Sequence, residues 1–185
     1  MNEVNKFYVS IRKLSDDRYG NIPVFPSTNL LIQDDYLGSM KRFYVDSCIW
    51  LNLFKKEGDA SKGAPYWKIA DSFLKRVMFS DLGEVIYTSV VLREIEHDLN
   101  NPSLFSEKLK FIRKEGKFLF VECLKEDYAL ARKLESESEF SISFFDCLNI
   151  AVCSRLDAIL VTRDNLLIEF SRGYIQAYKP EHLTV

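Results

Sequence analysis

Residues 143–167, SFFDCLNIAVCSRLDAILVTRDNLL, carry most of the information about the fold of this chain. The first half is apolar almost throughout, with Asp146 near its start, and predicts a largely buried helix. The run AILVT is apolar up to its last residue and predicts a strand that is buried on both faces. The T-R-D-N that follows places Asp164 just before a short helix. A helix, a buried strand and an acid at the end of that strand are typical of a parallel α/β sheet.

The same alternation extends in both directions from this stretch. Upstream, the patterns predict a strand at RFYV ending at Asp46, a second at EVIYTS and a third at KFLFVEC. The segments between them have helical spacing: SCIWLNLFKK, YWKIADSFLKRVMF, SVVLREIEHDL, SLFSEKLKFIRKEG stopped by Gly116, and KEDYALARKLESES. Downstream, RDNLLIEF predicts a short helix and YIQAY a fifth strand. The fold class is therefore α/β, in three layers around a central, mostly parallel sheet.

The domain plan follows from a change of composition before Lys41. Turn-forming clusters occur between residues 15 and 40, and FYVSIRKL before them alternates like a strand. We therefore expect residues 1–40 to form a short β-rich N-terminal extension of unknown role, and residues 41–185 to form the main domain.

Composition limits the classes of function. The net charge of −2 argues against a protein that holds nucleic acid through a general basic surface, so any such site must be local. The four cysteines lack zinc-site spacing and are expected to be reduced thiols. The chain opens without a secretory signal and contains no apolar run that would cross a membrane, so a cytoplasmic location is expected.

Four acids occupy comparable places along the chain: Asp46, Glu94, Asp146 and Asp164. Each alone is explained by helix capping or by the helix dipole. All four, however, fall near one edge of the predicted sheet, where ligands bind in open α/β folds. Carboxylates crowded together repel one another unless cations compensate them, and Mg²⁺ and Mn²⁺ prefer oxygen ligands.

The chain resembles the PIN-domain nucleases over roughly residues 41–185. YVDSCIWLNLF is similar to the opening strand of that family with its first acid, and TSVVLREIEHDL to the helix with the second. The stretch from SFFD to LVTRD resembles the most diagnostic part of the family, and YIQAYKPEHL its closing strand and tail. One departure is Cys48, where the family often has Asn or a small residue.

The resemblance implies a site and a reaction. Asp46, Glu94, Asp146 and Asp164 would hold Mg²⁺ or Mn²⁺, and a metal-bound water would hydrolyse the phosphodiester bonds of RNA. Other residues are given lesser roles: Ser47 and Thr162 as supporting hydroxyls, Asn165 as a helper of ligand or water, Arg163 as a phosphate contact and Asp98 as the reserve ligand on the Glu94 helix.

The resemblance is compatible with several functions. The enzyme could be the toxin of a VapC-type toxin–antitoxin pair with an antitoxin or other protein partner, or an RNA-processing enzyme, and related single domains imply a homodimer. The alternative is a non-catalytic PIN-fold module that binds RNA or protein.

A DNA-directed nuclease is disfavoured because no long insertion could form a clamp. The E-x-x-H of Glu94 and His97 lacks the second copy that a di-iron site needs, and Cys48 stands where a haloacid-type phosphatase would need its second Asp.

Overall fold

The structure is a computed structural model that describes residues 40–81 and 83–183. Apart from Met40, the predicted N-terminal extension lies outside the described residues. The prediction that residues 1–40 form a separate unit therefore stays a prediction.

Strands and helices alternate along the described chain, as the sequence patterns predict. The strands are β1 (Lys41–Val45), β2 (Gly83–Tyr87), β3 (Phe118–Phe120), β4 (Ala158–Val161) and β5 (Ala177–Tyr178). The α-helices are α1 (Ser47–Lys55), α2 (Tyr66–Phe79), α3 (Ser89–Leu99), α4 (Pro102–Lys114), α5 (Lys125–Glu137), α6 (Phe144–Leu156) and α7 (Asn165–Ser171). Short 3₁₀ turns occupy Ala60–Lys62 and Pro180–His182.

The five strands form one parallel sheet in the order β3-β2-β1-β4-β5. The chain moves outward from β1 to β3 on one side and then returns to the other side of β1 with β4. The strand order therefore reverses between β1 and β4, where Val45 is paired with Val161. Open α/β sheets bind ligands in the crevice at such a reversal, beyond the carboxyl ends of the strands.

The core explains why the central strands are apolar throughout. Phe43, Tyr44 and Val45 of β1 are fully buried, and so are Leu160 and Val161 of β4. A parallel sheet covered by helices on both faces removes both sides of each strand from water. Among the described residues, no helix is long and apolar enough to span a membrane.

The edge strands are shorter than the sequence patterns suggest. The prediction extended β3 to Cys123 and began β5 at Tyr174, but the paired segments are only Phe118–Phe120 and Ala177–Tyr178. In the described sheet each of these strands has a neighbour on one side only. Apolar alternation marks residues able to pair, whereas the extent of an edge strand depends on how far its single neighbour runs beside it.

Candidate active site at the carboxyl edge of the sheet

A pocket of about 290 Å³ opens where β1 and β4 end. Its wall includes all four acids that the sequence singles out, which approach it from four different segments of the chain. We call this the acid pocket, and its lining residues are Asp46, Ser47, Cys48, Leu51, Glu94, Asp98, Asp146, Arg163 and Asp164. The fold therefore brings together side chains up to 118 residues apart in sequence, from Asp46 to Asp164.

Asp46 is the most enclosed acid of the pocket, with 7% of its surface exposed. It occupies the N-cap position of α1, but its side chain forms no capping hydrogen bond. Its Oδ2 instead accepts hydrogen bonds from the Thr162 hydroxyl at 2.6 Å and from the Cys48 thiol at 3.0 Å, and its Oδ1 accepts one from Ser47 at 3.3 Å. Side-chain capping, the alternative explanation of Asp46, is therefore not what holds its carboxylate, which neighbouring side chains bond at the pocket instead.

Glu94 and Asp98 lie one helical turn apart on α3, so both face the acid pocket. Burial raises the pKa of Glu94 to about 7, the hydrogen bond from Ser47 opposes that rise, and the charges of Asp46, Asp146 and Asp98 add to it. The family resemblance implies Glu94 as the ligand, with Asp98 in reserve. The structure places both on the pocket, with Asp98 also 3.6 Å from the Lys55 ammonium.

Asp146 and Asp164 combine pocket positions with ordinary roles at helix starts. The Ser143 hydroxyl caps α6 by accepting from the Asp146 amide at 3.2 Å, and it donates to Asp146 Oδ2 at 2.6 Å. Asp164 Oδ1 caps α7 by accepting from the amides of Leu166 and Leu167. Burial, followed by the charges of Asp46 and Asp164, raises the pKa of Asp146 against the effect of the Ser143 bond. Capping thus fixes both carboxylates at the rim of the pocket.

Arg163 also lines the acid pocket, but its guanidinium is already engaged. Nη1 and Nη2 donate to the two carboxylate oxygens of Glu181 at 3.0 and 3.1 Å, and Nε donates to Asn52 at 3.0 Å. The same group lies 4.1 Å from the centre of the Tyr66 ring. Arg163 therefore ties the C-terminal 3₁₀ turn to α1 and α2, and a phosphate would have to compete with Glu181 for it.

The remaining predicted helpers differ in placement. The Thr162 hydroxyl is fully buried, donates to Asp46 and accepts from the Asp164 amide at 3.2 Å, so it links two of the acids. Ser47 contacts Asp46 and Glu94. Asn165 is exposed as the first residue of α7 and lies outside the pocket lining.

From the sequence, Cys48 has no predicted role in the site. In the structure its thiol touches Asp46, the Thr162 hydroxyl and the Arg163 amide. Burial, followed by the charge of Asp46, raises the thiol pKa well above its ordinary value. The thiol therefore stays protonated and serves Asp46 as a hydrogen-bond donor. The i, i+2 spacing of Asp46 and Cys48 gave no signal for this contact.

The donor set of the acid pocket suits a hard divalent cation, because it consists of carboxylates with a protonated thiol among them. Burial, and to a lesser degree the charges of the neighbouring acids, raises the pKa values of Glu94 and Asp146. In the described part of the chain, no group of three or more His, Cys, Asp or Glu side chains has the close arrangement that holds a metal ion. The carboxylates thus surround the pocket without converging on one point.

Comparison with known proteins concerns the family of this chain. The profile of the PIN domain family matches residues 43–173, which include all four predicted acids. A search of curated proteins finds no match.

Solved structures with the same fold include the FitAcB complex from Neisseria gonorrhoeae, which is 12% identical with a TM-score of 0.53 over 76% of this chain and 99% of that one. VapBC2 from Rickettsia felis, bound to a promoter DNA fragment, is 15% identical with a TM-score of 0.51 over 75% and 98%. A toxin–antitoxin complex from Klebsiella pneumoniae is 14% identical with a TM-score of 0.51 over 76% and 97%. At these identities the likeness concerns the fold, and the profile match over most of the chain gives the relationship: this chain belongs to the PIN domain family.

Proposed function

We propose that this protein is a Mg²⁺- or Mn²⁺-dependent endoribonuclease that hydrolyses phosphodiester bonds in the acid pocket. The observation that carries the proposal is the gathering of Asp46, Glu94, Asp146 and Asp164 around one pocket at the reversal of strand order. PIN domains are typically nucleases, which supports the same reaction class.

Each acid has a distinct task in this proposal. Asp46, held by three donors, is the fixed ligand, while Asp146 and Asp164 supply oxygens from the rim. Glu94 completes the set and must lose a proton as the cation binds, because its pKa lies near 7. When bound, the cation supplies an activated water and offsets charge on the phosphate. Asp98 is the reserve ligand, and Thr162 and Ser47 keep the carboxylates in place.

The proposed partners rest on the family resemblance and on the solved structures of similar fold. The solved structures of similar fold include toxin–antitoxin complexes, and we propose that a small antitoxin-like protein partners this chain. A homodimer and a cytoplasmic location complete the proposal. RNA is the proposed substrate through the family resemblance.

A second candidate is a PIN-fold module that binds RNA or protein without cleaving. The observation in its favour is that, within residues 40–81 and 83–183, the acids do not converge into a closed metal site. The retention of all four acids argues against it, because a cluster of repelling carboxylates is costly without a cation.

The test is to incubate the protein with a fluorescent mixed-sequence RNA in Mg²⁺, in Mn²⁺ and in EDTA. Asp146→Asn keeps the size of the side chain and removes its charge. Asp71→Asn is the matched control, because Asp71 lies on α2 outside the acid pocket and pairs with Lys75. We expect cleavage that needs metal, persists in the control and is lost in Asp146→Asn.

A thermal melt with and without Mn²⁺ separates the two candidates, because a cation that binds only the folded state raises its stability by mass action. If the protein shows no cleavage and no stabilisation by Mn²⁺, the nuclease proposal is contradicted and the binding module is favoured. Stabilisation without cleavage would keep the metal site and reject mixed-sequence RNA as the substrate.

A further inference from the structure

We infer that a second pocket beside the acid pocket receives a single unpaired nucleobase of the substrate strand, stacked on Phe145. This inference deepens the proposed nuclease function by naming a base-binding subsite and a single-stranded substrate. The second pocket lies between α3 and α6, has a volume of about 520 Å³ and is lined by Val90, Arg93, Glu94, Glu96, His97, Asp98 and Phe145.

The two pockets are adjacent and share part of their walls. Glu94 and Asp98 line both of them, and Phe145 directly precedes Asp146, which lines the acid pocket. A group bound against Phe145 therefore lies next to a group bound among the acids. The volume falls within the range of about 300–1,000 Å³ that is typical of small-molecule sites, so a nucleobase fits.

Phe145 is an exposed aromatic ring that packs against a neighbouring ring. Its side chain is 45% exposed, yet its ring packs edge-on against Phe144 with centroids 5.6 Å apart. Phe144 is in turn stacked with Tyr128 at 6.3 Å and covered by the Arg132 guanidinium at 4.0 Å. This support fixes the orientation of Phe145, so little conformational entropy is lost when a flat ligand stacks on it.

The charges around the second pocket disfavour an anionic ligand. Three carboxylates, those of Glu94, Glu96 and Asp98, stand against Arg93 and an exposed His97. An anionic group is disfavoured there, whereas an uncharged planar ring with amino donors can stack on Phe145, pack against Val90 and donate to a carboxylate. A nucleobase has this chemistry, and its own phosphate can reach the acid pocket. Bases that are paired in a duplex cannot enter, so the strand must be single.

The experiment compares two fluorescent strands of about eight nucleotides, the length covered by one single-strand binding module. One is single-stranded RNA of mixed sequence, and the other is a sugar–phosphate strand that lacks all bases. Binding is followed by fluorescence anisotropy in Ca²⁺, which takes oxygen ligands with looser geometry than Mg²⁺. A gel of each strand after titration checks that it is intact.

Phe145→Ala removes the ring and Phe145→Tyr keeps it. Phe79→Ala is the matched control, because Phe79 is 83% exposed at the C-terminus of α2 and lines neither pocket. We expect Phe145→Ala to weaken binding of the intact strand about tenfold, in line with the loss of one base–aromatic stack. Its affinity for the strand without bases should match that of the wild type. Phe145→Tyr and Phe79→Ala should both bind as the wild type does.

The inference is overturned if Phe145→Ala weakens both strands equally, if it weakens neither, or if the wild type binds neither strand or does not distinguish them. A failed cleavage assay together with base-dependent binding would remove the nuclease and leave the subsite. Cleavage without any effect of Phe145→Ala on binding would keep the nuclease and remove the base-binding subsite. A thermal melt of each variant confirms that it folds.

Discussion

At the scale of single residues, the main feature is how Asp46 is held. Its carboxylate accepts hydrogen bonds from a threonine, a cysteine and a serine, and none of these donors carries a charge. Charged donors would compete with a cation for the carboxylate, whereas hydroxyl and thiol groups orient it and leave its charge uncompensated. The residue is thereby suited to receiving a cation.

Thr162→Val should destabilise the fold, because the Thr162 hydroxyl is buried and bonds the Asp46 carboxylate at 2.6 Å. Loss of a hydrogen bond to a charged group costs about 1.5–3 kcal/mol of unfolding free energy. Urea denaturation measures the change. Thr162→Ser keeps the hydroxyl and should lose less, and a valine variant as stable as the wild type would show that the bond contributes nothing.

Glu94 should make stability depend on pH when no metal is present. Its pKa is about 7 in the folded protein against an ordinary 4.5, so between these values the folded state keeps a proton that the unfolded state has lost. The contribution of Glu94 to stability is therefore full below pH 4.5 and is lost as pH rises toward 7. Cation binding must displace the same proton, so the Mn²⁺-induced rise in melting temperature should be larger at pH 8 than at pH 6. Glu94→Gln should reduce the decline in stability, leaving the part that the raised pKa of Asp146 contributes, and an identical pH profile in that variant would contradict the assignment.

At the scale of elements, an ion pair between the buried Asp127 carboxylate and the partly exposed Arg155 joins the two helices that precede β4. Asp127 of α5 is 2% exposed, and Arg155 of α6 donates to both of its oxygens at 2.8 and 2.9 Å. Asp127 also accepts from the Leu124 amide at the start of α5. The pair fixes the position of α6, which carries Phe145 and Asp146 on its first turn. Arg155 lies in the last turn of α6, so the ion pair holds in place the helix whose first turn contributes Asp146 to the acid pocket.

Arg155→Met should destabilise the protein by about 2 kcal/mol or more, because it leaves the buried Asp127 carboxylate without its charged partner. Arg172→Met is the matched control, since Arg172 pairs with Glu169 on the surface of α7 with both side chains about two-thirds exposed. Exposed pairs contribute about 0–1 kcal/mol. Urea denaturation of both variants measures the loss of unfolding free energy. Equal losses would show that the burial of Asp127 adds nothing to the contribution of its pair with Arg155.

At the scale of the whole molecule, the charge balance shapes how a nucleic acid would bind. The chain has 25 Lys and Arg against 27 Asp and Glu, and its pocket is acidic. Few counterions can then be released from the strand by protein cations. Recognition must depend on the bound cation and on contacts to bases.

Binding of single-stranded RNA should therefore depend weakly on salt. With about two phosphates neutralised, a change from about 50 to 200 mM KCl should lower affinity less than about tenfold. Anisotropy titrations across that range measure the slope. A fall of several hundredfold would instead point to an extended basic surface and would contradict the local site.

The sequence by itself determined the order and type of the elements, the parallel sheet and the acids at strand and helix ends. Those features depend on residue spacing within one segment, and spacing is visible in the chain. This is why α2 and α3 occupy the runs that their patterns predict.

Only the tertiary structure decided which distant side chains meet. The register that pairs Val45 with Val161 brings Thr162 to Asp46 across 116 residues, so the bond that orients the first acid has no local signature. The same holds for Cys48, for the attachment of Arg163 to Glu181 and for the presence of both Glu94 and Asp98 on one wall. Periodicity fixes the face of a helix on which a side chain lies, but the packing of that helix against the sheet fixes what the face meets.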